Sequence, residues 1–109
     1  MSYSVSGATI TLTRGDTFKA QIELTDSSGN PYTPVDGDVI RFAAKMTYSD
    51  AEPCLVKNIP IDTMKLIFDP EDTKNLKFAT YVYDIQITQA SGEVDTFIMG
   101  KLKITEEVD

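Results

Sequence analysis

At 109 residues the chain has room for one domain with one core, and folding at that size removes roughly 60–70% of the surface the unfolded chain exposes. Ten basic against 17 acidic residues give a formal charge of −7, which argues against a phosphate-binding surface, because nucleic-acid affinity rests on Lys and Arg displacing counterions. With no histidine and a single cysteine, the composition excludes an internal disulfide and a histidine-activated thiol, so Cys54 reads as a half-buried small residue.

Residues 1–7 read as a flexible lead-in. The first strand is expected over 8–13, where strict alternation turns Ala8, Ile10 and Leu12 inward, and Arg14-Gly15-Asp16 then supplies a turn. Thr17 to Leu24 alternates in the same way, with Phe18, Ala20, Ile22 and Leu24 inward. The run Thr25 to Pro31 is the strongest turn signal in the chain, since Asp, Ser, Gly, Asn and Pro each favour reversal for a separate backbone reason.

A third strand runs from Val39 to Met46, with Ile40, Phe42, Ala44 and Met46 inward and Arg41 and Lys45 outward. Its polar side is therefore cationic, and a neighbouring strand is expected to offer carboxylates to it. Tyr48 to Pro53 is a loop, and Pro53 and Pro60 confine Cys54 to Asn58 to a sheet edge. Thr63 to Phe68 is a further strand. Asp69-Pro70-Glu71-Asp72 opens a short helical turn near 70–75, because Asp69 can cap free N–H groups, proline suits the first helical position, and the two acids complement the positive helix end.

The clearest period in the chain lies in Tyr81 to Thr88. Tyr81, Tyr83, Ile85 and Ile87 share one side of a ribbon and Val82, Asp84, Gln86 and Thr88 the other, as in a half-buried strand. Gln89 to Glu93 turns this strand into the last one, Val94 to Thr105, making a long antiparallel hairpin. Two registers are open for that last strand. In an unbroken one Phe97 and Met99 point away from the core and join Val82 in an exposed apolar strip, a candidate interface. In the other, a bulge at Gly100 carries Phe97 and Met99 inside.

About seven short strands with turns between them, no long helix and no repeat define an all-β fold. The expected architecture is a two-layer antiparallel immunoglobulin-like β-sandwich spanning 8–105, followed by an acidic tail at 106–109. Ala79 to Tyr83 is similar to the tyrosine corner of such sandwiches. Tyr81 would be the corner tyrosine and Tyr83 would stand where a disulfide-bonded domain has cysteine, while Lys77 replaces the usual aspartate.

No constellation points to chemistry. Asp36-Gly37-Asp38 and Asp69 to Asp72 lack the spacing of a calcium loop, and Arg14-Gly15-Asp16, although it spells the tripeptide integrins recognise, is ordinary turn chemistry. Without a P-loop, a dinucleotide glycine turn or a serine elbow, no catalytic site, metal or cofactor is expected. Residues 1–54 carry 4 basic and 7 acidic groups and residues 55–109 carry 6 and 10, so neither half suggests a basic surface. No apolar run approaches the ~20 residues of a membrane helix, and no basic start precedes an apolar segment, so a cytoplasmic chain is expected.

Ile10 to Phe18, Tyr81 to Ile87 and Gly100-Lys101-Leu102-Lys103-Ile104 resemble segments of small proteins from phage and prophage structural clusters, similar to the N-terminal domain of baseplate upper proteins and related tail-associated β-sandwiches. The likeness extends through Asn30-Pro31-Tyr32 and Pro70 to Thr73, and departs where the family's Gly-Thr step is here Ala79-Thr80. It implies a non-enzymatic virion component, made in the cytoplasm of a bacterial host and then built into the particle, partnered by copies of itself or by other phage structural proteins. The competing reading is a bacterial surface or adhesion-type module that recognises a glycan or peptide through loops, with Tyr32, Tyr48, Asp36 and Asp38 gathered at one end.

Overall fold

The computed structural model describes residues 3–6, 9–24 and 30–106, apart from the side chains of 3–6, Asp95 and Phe97. Eight strands and one short helix follow in chain order: β1 Tyr3–Ser6, β2 Thr9–Thr13, β3 Phe18–Gln21, β4 Val39–Lys45, β5 Leu55–Ile59, β6 Lys65–Phe68, α1 Pro70–Lys74, β7 Ala79–Thr88 and β8 Val94–Thr105. They form a wide sheet of order β1-β2-β8-β7-β4-β5, packed on the pair β3-β6. This is an all-β, sandwich-like fold, as expected, with two differences. Tyr3–Ser6, expected to be flexible, runs antiparallel along β2, and β2 pairs parallel with β8, so the wide sheet is mixed. Ala8, expected inward, lies outside the described residues, as do 25–29 and most of the acidic tail.

β7 is the axis of the wide sheet. Its ten residues pair with β8 on one side and seven of them, Val82 to Thr88, with β4 on the other, and Tyr81, Tyr83, Ile85 and Ile87 are all buried. Facing them across the core are Phe18 from β3 and Leu66 and Phe68 from β6. Aromatic rings bridge the layers in sequence: Tyr83 to Phe42 at 5.1 Å, Phe42 to Phe68 at 5.1 Å, and Phe68 to Phe18 at 5.2 Å, all tilted. Such offset pairs add to the burial of the rings themselves.

The corner tyrosine is present. Tyr81 is 2% exposed, and its hydroxyl donates to the Lys77 carbonyl at 2.8 Å, which ties the entry of β7 to the segment before it. Because the acceptor is a main-chain carbonyl, lysine in place of aspartate does not disturb the bond. Burial pushes the Tyr81 phenol above its ordinary pKa, and it does the same for Tyr83.

The last strand resolves its register in a third way. Ile98, Gly100, Leu102 and Ile104 oppose Ile85, Tyr83, Tyr81 and Ala79, the unbroken arrangement, but Gln86 opposes Thr96, so the extra residue is Phe97 rather than Gly100. A second correction concerns Met46, expected inward and found 43% exposed. The chain leaves the sheet at that point because Thr47 donates its N–H to the Asp50 carboxylate at 3.1 Å and starts the turn. Similarly, β6 begins at Lys65, because Met64 has φ 54°, a left-handed conformation that closes the turn with its N–H on the Pro60 carbonyl.

α1 carries the chain from the small sheet to the wide one. The Asp69 N–H donates to the Asp72 carboxylate at 2.7 Å, closing the helix start, and the same carboxylate accepts from Lys57 Nζ at 3.0 Å. On its inner side Thr73 is fully buried and its Oγ1 accepts the Gly15 N–H at 2.9 Å. Arg14-Gly15-Asp16 is thus fastened down, with the Arg14 guanidinium 4.2 Å above the Phe78 ring. Thr73→Val keeps the shape but strands the Gly15 N–H, and is expected to lose about 1–3 kcal/mol, with Thr73→Ser restoring most of it. Urea denaturation of the three proteins checks this, and a valine variant as stable as the parent would show the bond to be dispensable.

Candidate protein docking face

Strand alternation sends every second residue of β4, β7 and β8 to the side of the wide sheet that faces away from β3-β6. Read across the ladder, one row is Val56, Ala43, Asp84 and Met99, and the next is Asn58, Arg41, Gln86 and Thr96. Lys45, Val82 and Lys101 form a third row, while Lys103 stands between Thr80 and Thr11. Ala43 is small where its neighbours are long. The face is therefore dented into a groove of about 380 Å³ between Arg41, Lys45, Tyr48, Val82, Asp84 and Gln86.

The polar groups of the groove are partly committed. Gln86 Nε2 donates to Asp84 Oδ2 at 3.2 Å, and Lys45 Nζ donates to the Asp50 carbonyl at 2.9 Å. Arg41, which was expected to meet a carboxylate, has Gln86 and Asn58 directly opposite instead. Among the described residues it has no hydrogen-bond or ion-pair partner. The nearest acid, Asp84, sits opposite Ala43, on the diagonal from both Arg41 and Lys45. Arg41, Lys45, Lys101 and Lys103 therefore share the strand positions of this face with one carboxylate, Asp84, while Asp50 lies beside Lys45 at its edge, in a chain of charge −7. The cationic polar side of β4 was expected, while the residue counts of the two halves do not show the wider surface: parity along the strands collects the cations, and averaging along the chain hides them.

Of the predicted strip, Val82 and Met99 lie on this face, on the diagonal between adjacent strands, with Met99 58% exposed. Phe97 carries the bulge in its backbone, and its side chain lies outside the described residues.

The predicted loop cluster is split. Tyr48 follows the end of β4 whereas Tyr32, Asp36 and Asp38 precede its start, and seven strand residues at ~3.3 Å each put the two groups about 20 Å apart. Tyr48 stands at the rim of the groove, 65% exposed. Tyr32 and Asp38 are occupied with each other. Asp38, only 7% exposed, accepts from the Tyr32 hydroxyl at 2.7 Å, the Val35 N–H at 3.0 Å and the Ala90 N–H at 3.2 Å, clasping the β3–β4 loop to the β7–β8 turn. Beside the clasp, Gly37 has φ 97°, and a Cβ there would come within 2.8 Å of the Ala90 Cβ.

The Tyr32 bond, followed by the Val35 N–H, holds the Asp38 carboxyl below its ordinary pKa. A lowered folded-state pKa means stability that is present above the ordinary carboxylate range and lost as pH falls through the folded value. The melting temperature is accordingly expected to drop on acidification below about pH 4, and Asp38→Asn to remove part of that dependence. Equal pH slopes in the two proteins would dismiss the clasp as an acid-sensitive element. The same bond, with burial second, raises the Tyr32 phenol pKa.

This loop end is acidic. The described segments that meet there, 22–24, 30–38, 60–64 and 89–93, contain no lysine or arginine, and Glu23, Asp36, Asp62 and Glu93 are exposed. Cys54, expected half-buried, is exposed at the other end, where its Sγ donates to the Ala44 carbonyl at 3.3 Å and partial burial raises its thiol pKa. Among the described residues, no three His, Cys, Asp or Glu side chains are grouped to hold a metal, and no helix is long and apolar enough to cross a membrane. Compared with protein-family models, with curated proteins and with solved structures, the chain matches none.

Proposed function

We propose that this chain is a non-catalytic assembly module of a phage or prophage particle, associated with the tail or baseplate and acting through protein contacts on the outer face of its wide sheet. One observation carries the reading: Met99, Val82 and Val56 lie among arginine and lysine on an open sheet face dented by a groove. Met and Arg are enriched where proteins meet, and an apolar centre within a polar rim is the anatomy of such contacts. The particle itself is inferred from the resemblance of Ile10 to Phe18, Tyr81 to Ile87 and Gly100 to Ile104 to tail-associated sandwiches. On this reading the chain collects in the cytoplasm of its host and leaves in the virion.

Incorporation tests it. A tagged chain expressed in the strain that encodes it should sediment with purified particles, and Arg41→Glu with Met99→Asp should release it while leaving its melting temperature unchanged. Particles that form normally without the chain would overturn the proposal. The adhesion reading keeps one support, the exposed Tyr48 ring in the groove that Arg41 also lines. A melting-temperature rise with soluble sugars or short acidic peptides, abolished by Tyr48→Ala, would favour it instead.

A further inference from the structure

We propose that copies of this chain associate head to tail, the acidic loop end of one seated on the cationic sheet face of the next; this names the partner of the docking face and so rests on that reading. The charges select the arrangement. On the strand positions of the face, Arg41, Lys45, Lys101 and Lys103 against Asp84 give +3, so the remainder of a chain of charge −7, Asp50 at the edge of the face included, carries −10. Pairing two faces about a two-fold axis would set +3 against +3, and pairing two loop ends would set acid against acid. Only the unlike pairing is attractive, and complementary potentials of this kind fix orientation and suppress the wrong partner.

The dimensions agree with the charges. The molecule measures 45 × 31 × 23 Å, and the twelve residues of β8 take up most of the long axis. A loop end is therefore about 700 Å² in cross-section, close to the ~800 Å² each partner contributes to a standard interface. Apolar groups are present on both sides, Val35 exposed on the loop end and Val82 and Met99 on the face. Because the two patches differ, the contact is heterologous: every copy keeps one free end and one free face, and growth continues into a ring or an open filament.

Analytical ultracentrifugation of the full chain tests this. In about 20 mM salt the weight-average mass should rise at least about twofold between dilute and concentrated samples, and return to the monomer in about 0.5 M salt, where screening is nearly complete beyond a few ångströms. Arg41→Glu with Lys101→Glu should be monomeric, as should Asp36→Lys with Asp62→Lys. Mixed in equal amounts, the two variants should associate again, since the unaltered acidic end of the first still fits the unaltered cationic face of the second. A chain that stays monomeric at low salt and high concentration, or an association indifferent to either reversal, would overturn the inference. Loss of particle incorporation by Arg41→Glu with Lys101→Glu in a strictly monomeric chain would remove the copy-on-copy contact and leave the assembly reading standing. Salt-sensitive association without incorporation would do the reverse.

Discussion

Phe42→Ala is expected to remove about 3–5 kcal/mol of stability, a large fraction of the ~5–15 kcal/mol that holds a domain of this size together. Phe42 is fully buried on β4 and joins the two sheets by a ring contact, lying 5.1 Å from Phe68 in the other layer and 5.1 Å from Tyr83 in its own. Truncation loses the transfer energy of the ring and leaves a cavity between sheets whose strands are fixed by main-chain pairing on both sides of β4, so the walls can relax only partly. Phe42→Leu, which fills more of that space, should cost less than the alanine. Urea titrations give the comparison, with a shifted midpoint at unchanged slope as the sign that stability alone has moved. A loss below about 1 kcal/mol would mean that the sheets are held elsewhere.

Tyr81→Ala belongs in the same range, about 3–5 kcal/mol, but for a different mixture of reasons that a second variant separates. Tyr81→Phe keeps the ring in the core and removes only the bond to the Lys77 carbonyl, so about 0.5–1.5 kcal/mol is expected from it. The difference between the two belongs to the buried ring. If the phenylalanine protein were as damaged as the alanine one, the corner bond rather than packing would be what seats β7. If it were unchanged, the corner would be a geometric habit of the fold with no energetic share. Amide exchange at Lys77 to Thr80 gives a local reading of the same question, because the bond anchors the chain just ahead of the strand.

Much of this architecture could be read from residue order. Tyr81, Tyr83, Ile85 and Ile87 are buried because a period of two admits no other arrangement once one side packs, and the bounds Val94 and Thr105 of the last strand follow from the Gly92 turn and the end of alternation. Asp69-Pro70 placed the helix for the same local reason. Pairing between distant segments was harder. Nothing in Thr9–Thr13 says that it runs parallel to residues 102–105, since that choice is made by the layers closing and not by the strand itself. The bulge at Phe97 was hidden because Phe97 and Ile98 are both apolar, so the parity signal fails where it is needed. Of the docking face, Val82 and Met99 were visible as apolar residues on a polar parity. Its cations were visible one strand at a time, but the adjacency of β4, β7 and β8 had to be known before Arg41 and Lys101 could be placed on one surface. Tyr32 and Asp38 misled because a turn aspartate that looks free in sequence is used up by main-chain N–H groups from two loops.

The side-by-side placement of β2 and β8 has a kinetic consequence. Thr105 Oγ1 donates to the Leu12 carbonyl across 93 positions, whereas the β7–β8 hairpin closes over a handful. Joining points so far apart carries about 2 kcal/mol more closure entropy than joining points ten residues apart. The hairpin can therefore form early and alone, but the wide sheet is not sealed until residues 102–105 have left the ribosome. Until then β2 has an exposed flank that any passing strand can occupy, so dilution and prompt completion of synthesis protect this protein in a way that the stability of its finished state does not.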